Sequence, residues 1–317
     1  MVIKMPELSS TGERWFPEKT SFLEDMSWIW GEWGLDSEVG KLRAVLLHRP
    51  GKEIENVDPK VARFSETISD VEEARREHDE LAEAYRRNGV KVYYVEETCP
   101  NCPNAFFVHD QFAMTPEGAI IARPAMKVRR KEVYYTHKKL AELGVPILRT
   151  IHGQGTFEGA DLLWLNEETV VLGIGVRTNR EGARQVAEVL RVMGVKEIIE
   201  FHIPYGQAHV DGRLNIIDKD LAILFPWHVP YTVASKLREH GYDIIEVEDP
   251  KEAIIDRATN VVALEPGTIV MGKTGAEKTK KRLREAGVKI VEVKVDELMK
   301  GRGGISCMTG RLKRDKL

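Results

Sequence analysis

One of only three cysteines in the chain lies three residues after a glycine pair, in Gly303-Gly-Ile-Ser-Cys307-Met-Thr309. A thiol in that setting is a candidate nucleophile, because a thiolate is soft and attacks electrophilic carbon readily. Two upstream clusters offer the acid and base it would need: Phe157-Glu158-Gly-Ala-Asp161 and Ala208-His209-Val-Asp211-Gly212. Acid, then His, then Cys is the order of a thiol enzyme whose partners meet in the fold rather than along the chain. Each residue also has an ordinary reading. A lone cysteine is often a small buried hydrophobe, Asp110 sits where a hairpin-start turn former would, and Asp161 could serve only to fix the Glu158 loop. Among nine histidines, His209 is singled out by Asp211 and by the strand that follows.

These clusters must be positioned by repeated elements. Apolar run, polar or glycine turn, apolar run recurs over 110–121, 161–173, 214–224 and 261–271, each a hairpin by pattern. Lys41 to His48 shows a single strand. Helical periodicity covers 72–88, 179–193, 232–241 and 274–287. The last three end near a glycine and lead into strands at 195–201, 244–247 and 288–293. Hairpin, helix, strand, about five times over, is a β-β-α-β repeat of roughly 60 residues. No long linker interrupts it, so one domain over 1–317 is expected, with 1–39 as an extension packed on it.

Composition narrows the function. The chain has 317 residues, 42% of them hydrophobic, enough for a full core. A net charge of −3 and the absence of a long basic run argue against nucleic acid as partner. No stretch approaches about 18 apolar residues, so no membrane helix is expected. Met1 to Glu13 has no apolar core like a signal peptide, which points to a cytoplasmic protein. Lys and Glu abound while only four Gln occur, a bias of thermophile composition. Cys99-Pro-Asn-Cys102 is a CxxC without a second pair at zinc spacing and reads first as a loop with two thiols, then as a disulfide. No metal cluster is evident. Gly153-Gln-Gly155 lacks the third glycine and the Lys-Ser/Thr of a phosphate-cradling loop, and no cofactor is expected.

Taken together, the motifs resemble the guanidine-modifying enzymes of the pentein superfamily: arginine deiminases, dimethylarginine dimethylaminohydrolases and arginine amidinotransferases. The likeness runs from about Gly40 to the C-terminus. Glu158-Gly-Ala-Asp161 resembles the acidic Glu-Gly-Gly-Asp element, His209-Val-Asp211 the His-x-Asp, and Gly303-Gly-x-x-Cys307 the nucleophile motif. Val108-His109-Asp110 and Arg177-Thr-Asn179 match two further landmarks. The resemblance implies an α/β fold, a five-bladed pseudo-symmetric propeller. It implies Cys307, His209 and Glu158 as catalytic residues, with Asp110 and Asp211 gripping a guanidinium. Asp161 is expected to contact substrate, and Arg177 and Arg130 to bind its carboxylate.

Three reactions are compatible with that set. The Asn-Ile-Ile after Arg213-Leu214 and the lack of room for a helical insertion between Glu72 and Asp110 resemble amidinotransferases, so arginine amidinotransfer to an amine such as glycine or lysine is the first expectation. Citrulline-forming deimination, with water in place of the amine, is the runner-up. Dimethylarginine hydrolysis ranks third, because methylation would leave Asp211 buried without a donor. A non-catalytic member that only binds, like the initiation factor of the same fold, would have lost the Cys–His–acid set. A homo-oligomer is compatible with the sequence.

Overall fold

Apolar runs of four to six residues, broken by polar turns, form fifteen strands among the described residues of this computed structural model, which cover 19–317 except 56, 63 and 65. They assemble into five three-stranded sheets. Four of these follow one pattern in chain order: β3 (Phe112–Thr115), β4 (Gly118–Ile121), β5 (Ile147–Thr150); β6 (Leu162–Asn166), β7 (Thr169–Ile174), β8 (Glu197–His202); β9 (Leu214–Asp218), β10 (Leu221–Leu224), β11 (Asp243–Glu246); β12 (Val262–Glu265), β13 (Thr268–Gly272), β14 (Lys289–Val293). In each, the first two strands are antiparallel and the third pairs parallel to the middle one. A parallel pair needs a crossover, and a helix supplies it. The crossover helices are Glu132–Glu142, Arg180–Val192, Tyr231–Glu239 and Glu277–Glu285.

The remaining sheet joins the two ends of the chain. β1 (Leu42–Leu47) runs parallel to β2 (Lys91–Tyr94) across the helix Val71–Arg87. Its antiparallel partner is β15 (Gly310–Arg314), with Leu46 opposite Gly310. This explains why the sequence shows a lone strand at 41–48: its hairpin partner is some 270 residues away, where no local pattern can reveal it. Closing the ring this way leaves each sheet only short edges, and the five repeats share one centre. Part of the N-terminal extension is visible. Ser21 caps the helix Phe22–Ile29 through a capping box, and the Gly34 N–H donates to the Leu312 carbonyl at 3.0 Å. Residues 1–18 lie outside the described residues.

The helix Glu132–Glu142 and strands β2 and β5 are absent from the sequence reading. That helix ends in polar residues and lacks a side-chain cap, and the two strands are only four residues long and partly exposed. The short helices Phe22–Ile29, Pro59–Ala62, Pro250–Ile254, Asp296–Met299 and Ile305–Met308 and strand β15 are not among the expected elements either, while the ranges that are expected agree to within a few residues. Among the described residues no helix is long and apolar enough to cross a membrane.

Candidate active site

The loop before the first strand of every repeat points to the shared centre. Asp110 lies two residues before β3, Asp161 one before β6, Asp211 three before β9, Asn260 two before β12 and Cys307 three before β15. Pseudo-symmetry therefore gathers side chains that are 200 residues apart. Asp110, His209, Asp211, Asn260, Cys307, Arg129 and Arg177 line one cavity of about 560 Å³.

Cys307 sits on the short helix Ile305–Met308, and among the described residues it is the free cysteine. The Asn260 amide donates to its sulfur at 3.3 Å and to Asp211 Oδ2 at 3.4 Å, while Asn260 Oδ1 accepts the Ser306 N–H at 2.9 Å. The thiol lies 3.8 Å from Asp211 Oδ2. The preceding glycines serve packing. A Cβ on Gly303 would come within 2.2 Å of the Phe107 ring, and one on Gly304 within 2.5 Å of Asn260 Oδ1. Burial pushes the thiol well above its ordinary pKa, and the charges of Asp211 and Asp110 push it further.

His209 donates from Nε2 to Glu158 Oε2 at 2.7 Å, and its Nδ1 is 3.7 Å from Asp110 Oδ1. Burial disfavours the imidazolium, but Asp110, the Glu158 hydrogen bond and Asp161 outweigh it and raise the pKa to about 9. Burial alone would raise Glu158, yet His209, Arg177 and Arg129 hold it well below the carboxylate range. Asp211, buried but facing His109, is lowered to about 2. The Arg311 guanidinium donates to His109 Nε2 at 2.7 Å, which leaves the Nδ1 proton for Asp211 Oδ2 at 3.4 Å. Burial and Arg311 lower the His109 pKa and so disfavour its imidazolium form, against the opposing pull of Asp211 and Asp110.

Two expected contacts fall elsewhere. Asp161 is fully buried and does not line the cavity. It accepts from Thr178 Oγ1 at 2.5 Å and from the Val210 N–H at 3.2 Å, so it ties the Arg177 and His209 loops together behind the cavity. Arg130 points into a separate cavity with Arg123 and His137, and its Nε donates to the Pro124 carbonyl at 3.1 Å. Arg129 takes the place expected of Arg130. The turn Lys127–Arg129 is 3₁₀, where one residue rotates the side chain by about 120°. Arg129 ion-pairs with Asp110 and with Glu132 at 2.9 Å. Arg177 is as expected at the cavity, donating from Nη1 to Glu158 at 3.0 and 3.2 Å.

Asn260 and Arg129 are site residues absent from the sequence reading. The signal for Asn260 was available: it holds the same place before its hairpin as Asp110 does before its own. Asn215, in the Asn-Ile-Ile segment, is structural. Its amide donates to the Asp211 and Thr259 carbonyls at 2.8 and 2.6 Å, fixing the loops on either side of Cys307. Cys99 and Cys102 form a disulfide rather than two thiols. The turn closed by the Cys102 N–H on the Cys99 carbonyl sets their Cα atoms 5.4 Å apart, in a small cluster with Ala105 and Tyr135.

Asp110, Glu158 and His209 each place an atom within 4.8 Å of the others, as a metal trio could. Arg129 and Arg177 already neutralise these carboxylates, and two guanidinium groups would repel a metal ion there.

A five-fold α/β ring with a Cys, His and two acids at its centre defines the class as guanidino-modifying. The family model described as "N,N dimethylarginine dimethylhydrolase, eukaryotic" matches residues 53–314. The chain belongs to that family, within the pentein superfamily. It is 25% identical to an arginine deiminase of Limosilactobacillus reuteri, over 89% of this chain and 98% of that one. That alignment runs over 402 positions, more than this whole chain, so the relative carries insertions this chain lacks. An arginine deiminase of Borrelia recurrentis is 24% identical over the same shares. Among solved structures, a dimethylarginine dimethylaminohydrolase of Pseudomonas aeruginosa complexed with citrulline has a TM-score of 0.72 at 21% identity, covering 86% of this chain and 99% of that one. An amidinotransferase of saxitoxin biosynthesis from Microseira wollei has a TM-score of 0.74 at 16% identity, covering 90% and 98%.

Proposed function

We propose that this protein hydrolyses the guanidinium of free L-arginine to citrulline and ammonia through a covalent intermediate on Cys307. The observation that carries this is a pair of orphaned oxygens. Asp110 Oδ1 and Asp211 Oδ1 are buried without a hydrogen-bond partner among the described residues, and both carboxylates face the cavity that holds the thiol. Buried carboxylate oxygens without donors are costly, and a planar cation with N–H groups on both edges satisfies them.

In the resting site Cys307 is a thiol and His209 an imidazolium. A guanidinium docked between Asp110 and Asp211 cancels the negative charges that hold the thiol up. It lowers the Cys307 pKa, the thiol proton passes to bulk water, and the thiolate forms beside its target carbon. The thiolate attacks that carbon. His209 donates its Nδ1 proton to the departing amine, which leaves as ammonia. The neutral imidazole then takes a proton from water. The hydroxide attacks the thiouronium carbon, the carbon–sulfur bond breaks as the adduct's hydroxyl proton passes to solvent, where ammonia takes it up as ammonium, and citrulline leaves with the thiolate restored. Glu158 keeps His209 oriented and charged, and Arg177 retains donors that can take the substrate carboxylate.

Hydrolysis is preferred to amidinotransfer, reversing the order expected from sequence. The full-length similarity to arginine deiminases supports water as the second substrate, and Asn215 has a structural task that explains the Asn-Ile-Ile segment without reference to transfer. The test is ammonia release from L-arginine against dimethylamine release from asymmetric dimethylarginine. Arginine is the better substrate on this account. Preference for the dimethylated compound would overturn the assigned use of Asp211.

A further inference from the structure

Three arginines of the cavity are in no ion pair among the described residues and have no task in the reaction above. Arg213 follows Asp211 by two residues and Arg257 precedes Asn260 by three, and with Arg302 they line the wall around Cys307. Arg129 and Arg177 are matched by carboxylates. Arg213, Arg257 and Arg302 form no ion pair among the described residues. The Arg213 donors go to neutral oxygens, Nε to Gln207 Oε1 and Nη1 to the Gly212 carbonyl, both at 2.7 Å. Arg257 Nε is fully buried with no partner.

The three cations also disturb one another. Burial lowers Arg213 to about 10, with the Arg257 charge adding to the effect. Burial lowers Arg257 as well, and Arg302 adds to it while Cys307 opposes it. Like charges crowd one wall with no carboxylate in ion-pair contact among the described residues, and the charge of Asp211 offsets their repulsion without reversing the shift. The backbone points the same way. Three non-glycine residues have positive φ among the described residues: Arg257 at 54°, Ala276 at 57° and Arg302 at 70°. A left-handed backbone is unfavourable for a residue with a Cβ and persists where the surroundings enforce it, often at a binding site. The Cys307 thiolate is not a standing counter-ion, since burial and the two aspartates keep the resting thiol protonated.

We propose that Arg213 and Arg257 form a carboxylate-binding subsite on the Cys307 side of the cavity, separate from Arg177 and with Arg302 at its rim. A carboxylate presents two coplanar acceptors that match the guanidinium fork. A dianionic phosphate would be repelled by Asp110 and Asp211 in the same cavity. Two ligands can bring the carboxylate: the guanidino substrate itself, or a second amino acid entering beside it. The inference rests on the cavity being the guanidino site, and binding without turnover separates it from the hydrolysis reading.

The experiment titrates Cys307→Ser protein by calorimetry with L-arginine, with agmatine, which lacks the carboxylate, and with glycine in the presence of agmatine. Each titration is repeated with Arg257→Gln added. If the subsite holds the substrate's own carboxylate, Arg257→Gln weakens arginine about tenfold or more and leaves agmatine unchanged. If it holds a second amino acid, arginine is unchanged and glycine binding is lost. Removal of an unmatched cation should leave the melting temperature of the ligand-free protein equal or higher. Unchanged affinity for all three ligands overturns the proposal, even if arginine is turned over. So does a fall in melting temperature with a uniform loss of all binding, which would make Arg257 structural. Arg257→Lys, which keeps the charge, should recover part of the lost affinity.

Discussion

The two ends of the cavity are built on opposite terms. At the Glu158 end every charge has an ion-pair partner, although Asp110 Oδ1 keeps no hydrogen bond. His209, Arg177 and Arg129 converge on one buried carboxylate, and Arg129 is held in turn by Asp110 and Glu132. At the Cys307 end charges are left open. Asp211 keeps an orphaned oxygen, Arg257 an orphaned nitrogen, and the thiol is held protonated by its surroundings. The paired end holds its hydrogen bonds within the protein and sets proton positions before substrate arrives. The open end completes itself only when a ligand brings the missing charges. Stability is given up where chemistry must occur and recovered in the network beside it.

The largest expected effect breaks the open end outright. Cys307→Ser removes the nucleophile, and turnover of arginine should fall on the order of 10⁴-fold or more with no covalent adduct by mass spectrometry. Retained activity would end the thiol mechanism. At the paired end, His209→Gln and Glu158→Gln should each cut the rate by about 10²–10⁴. Near-normal rates in either variant would remove that residue from the mechanism.

The pH profile sharpens the comparison further. His209 is charged below its raised pKa of about 9, so kcat/KM should fall as pH rises through about 9. Loss of the Glu158 charge and hydrogen bond disfavours the imidazolium, so Glu158→Gln should move that limb to lower pH. A limb that stays in place would mean another group titrates there.

A smaller effect concerns selectivity. Arginine should exceed asymmetric dimethylarginine in kcat/KM by roughly a hundredfold, since two methyl groups leave one carboxylate without donors. Asp211→Ser should narrow that gap, chiefly by harming arginine. The smallest effect lies outside the cavity. Cys99→Ser with Cys102→Ser should leave kcat within about twofold and lower the melting temperature by a few degrees, because a disulfide closing so short a loop constrains the unfolded chain little. A large fall in kcat at unchanged fold would tie this disulfide to the site.

What the sequence made legible follows from range. Hairpins and their helices are local, and their periodicity showed the hairpins of four of the five sheets and, for three of these, the helix and third strand as well. The fifth pairs β1 with β15 across the whole chain, and no short-range signal encodes that. Cys307, His209, Glu158, Asp110 and Asp211 stood out because their clusters are compact, and the fold brings four of them to one cavity with Glu158 behind His209. Arg129 and Arg130 are neighbours in sequence, so only the turn geometry decides which one enters the cavity. Asp161 was expected to contact substrate, but the 3₁₀ turn Gly159–Asp161 directs it toward Thr178. The charge imbalance at Arg213 and Arg257 was invisible in sequence, since an unpaired cation is recognised only once the space around it is known.

The central claim is that water completes the reaction on Cys307. The most direct test incubates the protein with L-arginine in heavy-oxygen water, with and without glycine, and weighs the products by mass spectrometry. The account predicts citrulline carrying one heavy oxygen, together with an equal amount of ammonia, whether or not glycine is present. Ornithine with a new guanidino compound in the presence of glycine would contradict it and make the protein a transferase.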